Sequence, residues 1–128
     1  MPHVMLDYSA NLEDAVNIAD LCTCLRLAAI ETGVFPMAGI RVRAFAATHV
    51  SIADGDPQHG YIDISVRLRA GRDLATRQAA TQSIFDAARD YLAPCMAKRS
   101  LALSFEMRNI DPELSPKCGT IRDHLEEK

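Results

Sequence analysis

The sequence has no surplus of positive charge. Its 14 lysines and arginines are outnumbered by 17 aspartates and glutamates, for a formal net charge of -3. Without a basic excess there is little to hold a phosphate backbone, which argues against nucleic acid as the main partner. Long apolar runs are missing too. No stretch approaches the roughly 20 residues that a bilayer crossing needs. The first residues lack the basic stretch and long apolar segment of a secretory leader, and Asp7 interrupts the apolar run. These absences set the expectation of a cytoplasmic protein with no membrane partner.

Cysteine is sparse and unpatterned. Cys22 and Cys24 stand one residue apart within a helical pattern, with Cys95 and Cys118 far away. That spacing fits neither a zinc ribbon nor a redox pair. The thiols read instead as small apolar residues. His49, His59 and His124 fall in or near loops without ligand spacing. No metal site is therefore expected.

What is present is a single α+β domain. The 128 residues are 48% hydrophobic and 24% charged, enough to bury one core with no room for a second. Val4, Leu6 and Tyr8 alternate with Met5, Asp7 and Ser9, which predicts a strand. A helix is predicted next, with Asn11 as its N-cap and Gly33 as its stop. Ile18, Leu21, Leu25 and Ala28 would form its buried face. A second strand is expected from about Ile40 to Ala46. After the turn cluster "ADGDPQHG", the run "YIDISVRLR" alternates cleanly. Asp73 then caps a second long helix, whose buried side is read as Leu74, Thr81, Ile84, Phe85, Ala88, Leu92 and Cys95. "SLALSFEMR" gives the last long strand, and a short helical pattern follows from about Thr120 to Glu126.

The order is β-α-β, then β-α-β, at nearly equal spacing. It reads as an internal repeat, roughly residues 2–58 and 59–110, with a C-terminal tail over 111–128. Parallel strands joined by a helix cross over right-handedly. Two such units side by side predict a four-stranded sheet with both helices on one face. The other face carries Arg41, Arg43, Asp63, Ser65, Arg67, Ser104 and Glu106. It is either solvated or used for self-association.

Pro2 is the first residue that invites chemistry. A start methionine is removed when a small residue or proline follows, and Pro2 would then carry a free secondary amine. The reference pKa of an α-amino group is about 8. Burial and a nearby arginine both disfavour the cation and push that value toward neutrality. A base poised there suits proton transfer. Proline also simply suits the start of an edge strand, so the rest of the chain must decide.

Five blocks do so: "MPHVMLDYSANLE", "ETGVFPMAGIRVRAF", "IADGDP", "AGRDLATRQ" and "LALSFEMR". In these the chain resembles the 4-oxalocrotonate tautomerase superfamily, and most closely its 5-carboxymethyl-2-hydroxymuconate isomerase branch. The resemblance extends to about Arg108. It implies a tautomerase fold assembled as a homotrimer, without metal or cofactor. The implied activity moves a proton in a hydroxymuconate-type dienol, converting 5-carboxymethyl-2-hydroxymuconate to its 2-oxo isomer. That step belongs to the homoprotocatechuate route of bacterial aromatic-acid degradation.

The resemblance also divides the labour between the repeats. The first offers Pro2 but has Ala10-Asn11 where the second has Gly71-Arg72; the second has Ile62 where its proline would stand. Pro2 would be the general base. Arg41 and Arg72 would bind carboxylate and the developing 2-oxo group. Arginine suits this because its planar fork fits a carboxylate and stays charged. Phe35 and Phe45 are candidate walls for the apolar part of a carboxylate substrate, with core packing the commoner fate of each. Arg43, Arg67 and Arg69 are assigned to an interface or to solvent, and His3 to the strand face opposite Pro2. The tail lacks the amide-rich stretch expected of the family. Two rival readings stand beside this one: a non-catalytic trimeric binding module, and a tautomerase or hydratase of the same superfamily acting on another oxo-acid.

Overall fold

The computed structural model describes residues 2–126. Strands β1 (His3–Ser9), β2 (Arg41–Ala47), β3 (Gly60–Arg69) and β4 (Leu101–Ile110) form one sheet in the order β2-β1-β3-β4. β1 pairs parallel with β2, and β3 parallel with β4, while β1 and β3 run antiparallel. Helix α1 (Ile18–Glu31) links the first pair and α2 (Leu74–Met96) the second. This is the expected architecture, and period-two alternation explains it. Val4, Leu6, Ile62, Ile64, Val66 and Leu68 are fully buried on one face. They pack against Leu21, Leu25 and Ala29 of α1 and against Ala80, Ile84, Ala88 and Leu92 of α2.

Two helix details differ from the sequence reading. Asn11 does not cap α1. Residues Ala10–Leu12 form a 3-10 turn that buries Leu12, and the helix opens only at Ile18. Its cap is Asn17, whose side chain accepts from the Asp20 N–H at 3.0 Å. Asn11 is drawn away because its Nδ2 donates to the carbonyls of Pro57 (3.2 Å) and His59 (2.9 Å). Leu74 is 60% exposed rather than buried. It opens α2, one residue after the Asp73 cap and outside the stripe that runs from Ala80 to Leu92. Asp73 itself caps as expected, accepting from the Thr76 N–H at 2.8 Å.

The open face of the sheet is polar and largely paired within itself. Tyr61 donates to Asp7 at 2.6 Å and Ser104 to Asp63 at 2.7 Å. Phe45, by contrast, stands 58% exposed on this face. The tail after Ile110 is organised by a turn at Asp111. Its carboxylate accepts from the Glu113 N–H at 2.9 Å, and its carbonyl accepts from Ser115 Oγ at 2.5 Å. Residues Ile121–His124 then form one 3-10 turn. No helix among the described residues is long and apolar enough to cross a membrane.

Candidate active site

Pro2 is fully buried at the entrance to β1. Its carbonyl accepts from the Arg41 N–H at 3.2 Å, so the first strand and the start of β2 are tied at that point. Arg41 turns its Nη1 onto the Gly39 carbonyl at 3.2 Å. β1 and β3 run antiparallel, so the end of β3 comes back to the same edge. It delivers Arg69 and, after a tight turn, Arg72. Gly71 in that turn has φ +123, a conformation that residues with a Cβ rarely adopt.

Arg72 is held firmly. Nε and Nη2 donate to the Val34 carbonyl at 3.2 and 2.9 Å, and Nη1 donates to the Arg69 carbonyl at 3.2 Å. Its guanidinium lies over the Phe35 ring, 5.5 Å from the centroid. These bonds take three of the five guanidinium N–H groups and leave one on each terminal nitrogen. Such a side chain keeps one orientation and still has a donor pair to offer.

Arg41 and Arg72 line one cleft of about 340 Å³ together with Arg69, Lys117 and Arg122. The cleft holds five cations and no carboxylate, on a chain whose net charge is negative. Gly39, Ala38, Pro36 and Cys118 contribute to its walls. His3, on the opposite face of β1 from Pro2, has its pKa lowered from 6.5 by burial first and then by Arg67, Arg43 and Arg41, of which only Arg41 belongs to the cleft.

The structure thus brings Pro2, Arg41 and Arg72 to one end of the sheet; Arg41 and Arg72 line the cleft, while Pro2 is fully buried and is not among its lining residues. It does not bring both phenylalanines there. Phe35 is buried beneath Arg72 and supports that arginine, while Phe45 projects from the open face; neither lines the cleft. His3 lies on the other face of β1, its Nδ1 3.3 Å from Arg43 Nη1. Arg69, assigned from sequence to an interface or solvent, is a wall of the cleft. Lys117 and Arg122 had no sequence signal beyond their charge, since the tail has no periodicity that would fix its path.

The family model for 5-carboxymethyl-2-hydroxymuconate isomerase matches residues 2–125. The chain belongs to that family. A 5-carboxymethyl-2-hydroxymuconate Delta-isomerase of Escherichia coli is 32% identical over 121 residues, 94% of this chain and 96% of the relative. The crystal structure of a 5-carboxymethyl-2-hydroxymuconate delta-isomerase superposes with a TM-score of 0.92 at 29% identity. That match covers 100% of this chain and 95% of the other. The fold reaches further, to a fused 4-OT solved as a symmetric trimer. There the TM-score is 0.59 at 19% identity, over 84% of this chain and 85% of that one.

Proposed function

We propose that the chain isomerises 5-carboxymethyl-2-hydroxymuconate to its 2-oxo form, with the amine of Pro2 as general base. The observation that carries this is the cleft at the Pro2 edge, where Arg41 both lines the cavity and bonds the Pro2 carbonyl. Met1 lies outside the described residues; its removal converts the Pro2 nitrogen from an amide into a secondary amine. The neutral amine takes the proton of the 2-hydroxyl, and the conjugated chain receives a proton at carbon. The double bonds shift, the hydroxyl becomes the 2-oxo group, and charge is conserved. Arg72 and Arg41 hold carboxylate and the developing oxo group, so negative charge forming on oxygen meets fixed donors. Val34 and Phe35 keep Arg72 in place before substrate arrives.

The same reading takes residues 2–58 and 59–110 as two copies of one unit and the assembly as a homotrimer working in the cytoplasm. The exposed Phe45 on the open face supports self-association, since a large apolar ring there gains from being covered. Light scattering should give three times the chain mass.

The deciding experiment is an ultraviolet assay on protein whose amino terminus has been verified by mass spectrometry. 5-Carboxymethyl-2-hydroxymuconate is compared with 2-hydroxymuconate and phenylenolpyruvate. Preferred turnover of the first supports the reading; turnover of none of the three would leave the binding module.

A further inference from the structure

The cleft contains more positive charge than the reacting end of a dienol requires. Arg41 and Arg72 are partly committed to carbonyls, and the Arg41 N–H bonds the Pro2 carbonyl. Arg69, Lys117 and Arg122 line the same cleft. Among the described residues, none of these five forms an ion pair. Like charges gathered this way repel one another, and water screens them only in part. An anion carrying several carboxylates relieves that repulsion more than an anion carrying one.

Two of the cations arrive by an unusual route. Lys117 and Arg122 come from the tail, beyond the last strand. The Asp111 turn sets the tail's departure, and Pro112 and Pro116 restrict its backbone. The tail therefore crosses to the Pro2 edge and lays its charges at the cleft with Gly119 and Cys118 between them.

We infer that Lys117 and Arg122, with Arg69 beside them, bind a carboxylate remote from the reacting enol, and so select substrates with additional carboxylates. The inference rests on the isomerase reading of the cleft and deepens it. Arg41 and Arg72 serve the end where the proton moves. The tail serves the far end, and its contribution is selectivity rather than chemistry.

The test uses the full, processed chain and the double variant Lys117→Gln/Arg122→Gln at fixed ionic strength. The readout is the ratio of kcat/KM for 5-carboxymethyl-2-hydroxymuconate, with three carboxylates, to that for phenylenolpyruvate, with one. The ratio should fall by about tenfold in the variant, mainly through KM, as expected for partly exposed charge contacts. The charge-keeping variant Lys117→Arg/Arg122→Lys should retain most of it. An unchanged ratio overturns the inference, whether both activities fall together or neither does.

Calorimetry separates this failure from failure of the isomerase reading. Propane-1,2,3-tricarboxylate and phenylacetate are titrated into the same proteins. Tail-dependent preference for the tricarboxylate without turnover of any dienol would sink the isomerase reading and keep the tail's role. Turnover without tail-dependent preference would do the reverse.

Discussion

Strand β1 is entered through Pro2 and strand β3 through His59, and the antiparallel pairing of β1 with β3 puts these entrances at opposite ends of the sheet. At the Pro2 end, backbone bonds fix the strands while the side chains around them are cations facing an open cleft. At the His59 end, polar side chains are spent on one another. His59 bonds Ser100 Oγ and Asp54 Oδ1, each at 2.7 Å, and Asn11 donates to two carbonyls. Arg99 donates to Asp14 at 3.1 Å and to the Asn11 carbonyl at 3.0 Å. Gly60 is packed so closely that an added Cβ would lie 2.9 Å from Leu12 Cδ2. The Pro2 end thus presents to its cleft cations that, among the described residues, have no ion-pair partners, whereas the polar groups at the His59 end are bonded within the fold, although a smaller cleft of about 260 Å³ lies there too. Similar topology does not carry similar chemistry; the partners of the charged groups decide which end can react.

The contrast breaks most completely at Pro2. Protein retaining Met1, or alkylated at the amine by a halogenated oxo-acid, should lose about a thousandfold or more of its turnover, within the range of a lost general base. Circular dichroism should remain unchanged. In processed protein the neutral amine is the active form, so kcat/KM should rise with pH through a pKa depressed below the reference of about 8. Equal turnover by matched preparations with and without Met1 would reduce Pro2 to a strand start.

Next in size are the arginines. Arg72→Ala or Arg41→Ala should lower kcat/KM by about thirty- to a thousandfold, the worth of roughly 2–4 kcal/mol of charge-assisted contact in a shielded site. Steady-state kinetics beside a melting curve separates this from unfolding. Arg72→Lys should recover little, because an ammonium cannot bond Val34 and substrate as the planar fork does.

At the His59 end the effects should appear in stability alone. Gly60→Ala should cost about 1–3 kcal/mol by overpacking Leu12, and Asn11→Ala about 1–2 kcal/mol through its lost bonds. Urea denaturation would measure both, with kcat/KM within about twofold of the parent. A large loss of activity there would contradict the division between the ends.

The smallest effect sharpens the electrostatic side of the comparison. His3 should titrate below 6.5 by NMR, and Arg67→Ala should move it upward. A histidine with a lowered folded pKa contributes stability that is present above the unfolded value and is lost as pH falls through the folded one. His3→Asn should therefore flatten the stability profile on the acid side of 6.5, and only slightly, because the ring is only partly buried.

Much of the frame was legible because alternation is local. Ile62, Ile64, Val66 and Leu68 announce both a strand and its buried face. The start of α1 was not legible, since Asn11 has the chemistry of a cap and only the distant carbonyls of Pro57 and His59 divert it. Pro2, Arg41 and Arg72 were found through motif resemblance, and the fold draws them to one edge. Arg69, Lys117 and Arg122 were missed for a different reason. Membership in the cleft depends on where a strand ends and how a tail returns, and neither leaves a period in the sequence.

Arg72 belongs to the loop after β3, yet its guanidinium hangs on the Val34 carbonyl and rests on Phe35, both in the loop before β2. The consequence is hereditary as much as mechanical. If the chain descends from a duplication, its copies can no longer be parted. A lesion at 34 or 35 would disarm an arginine encoded far downstream, so selection on one copy is felt in the other. On such a descent, two once interchangeable units would have become a single unit of inheritance.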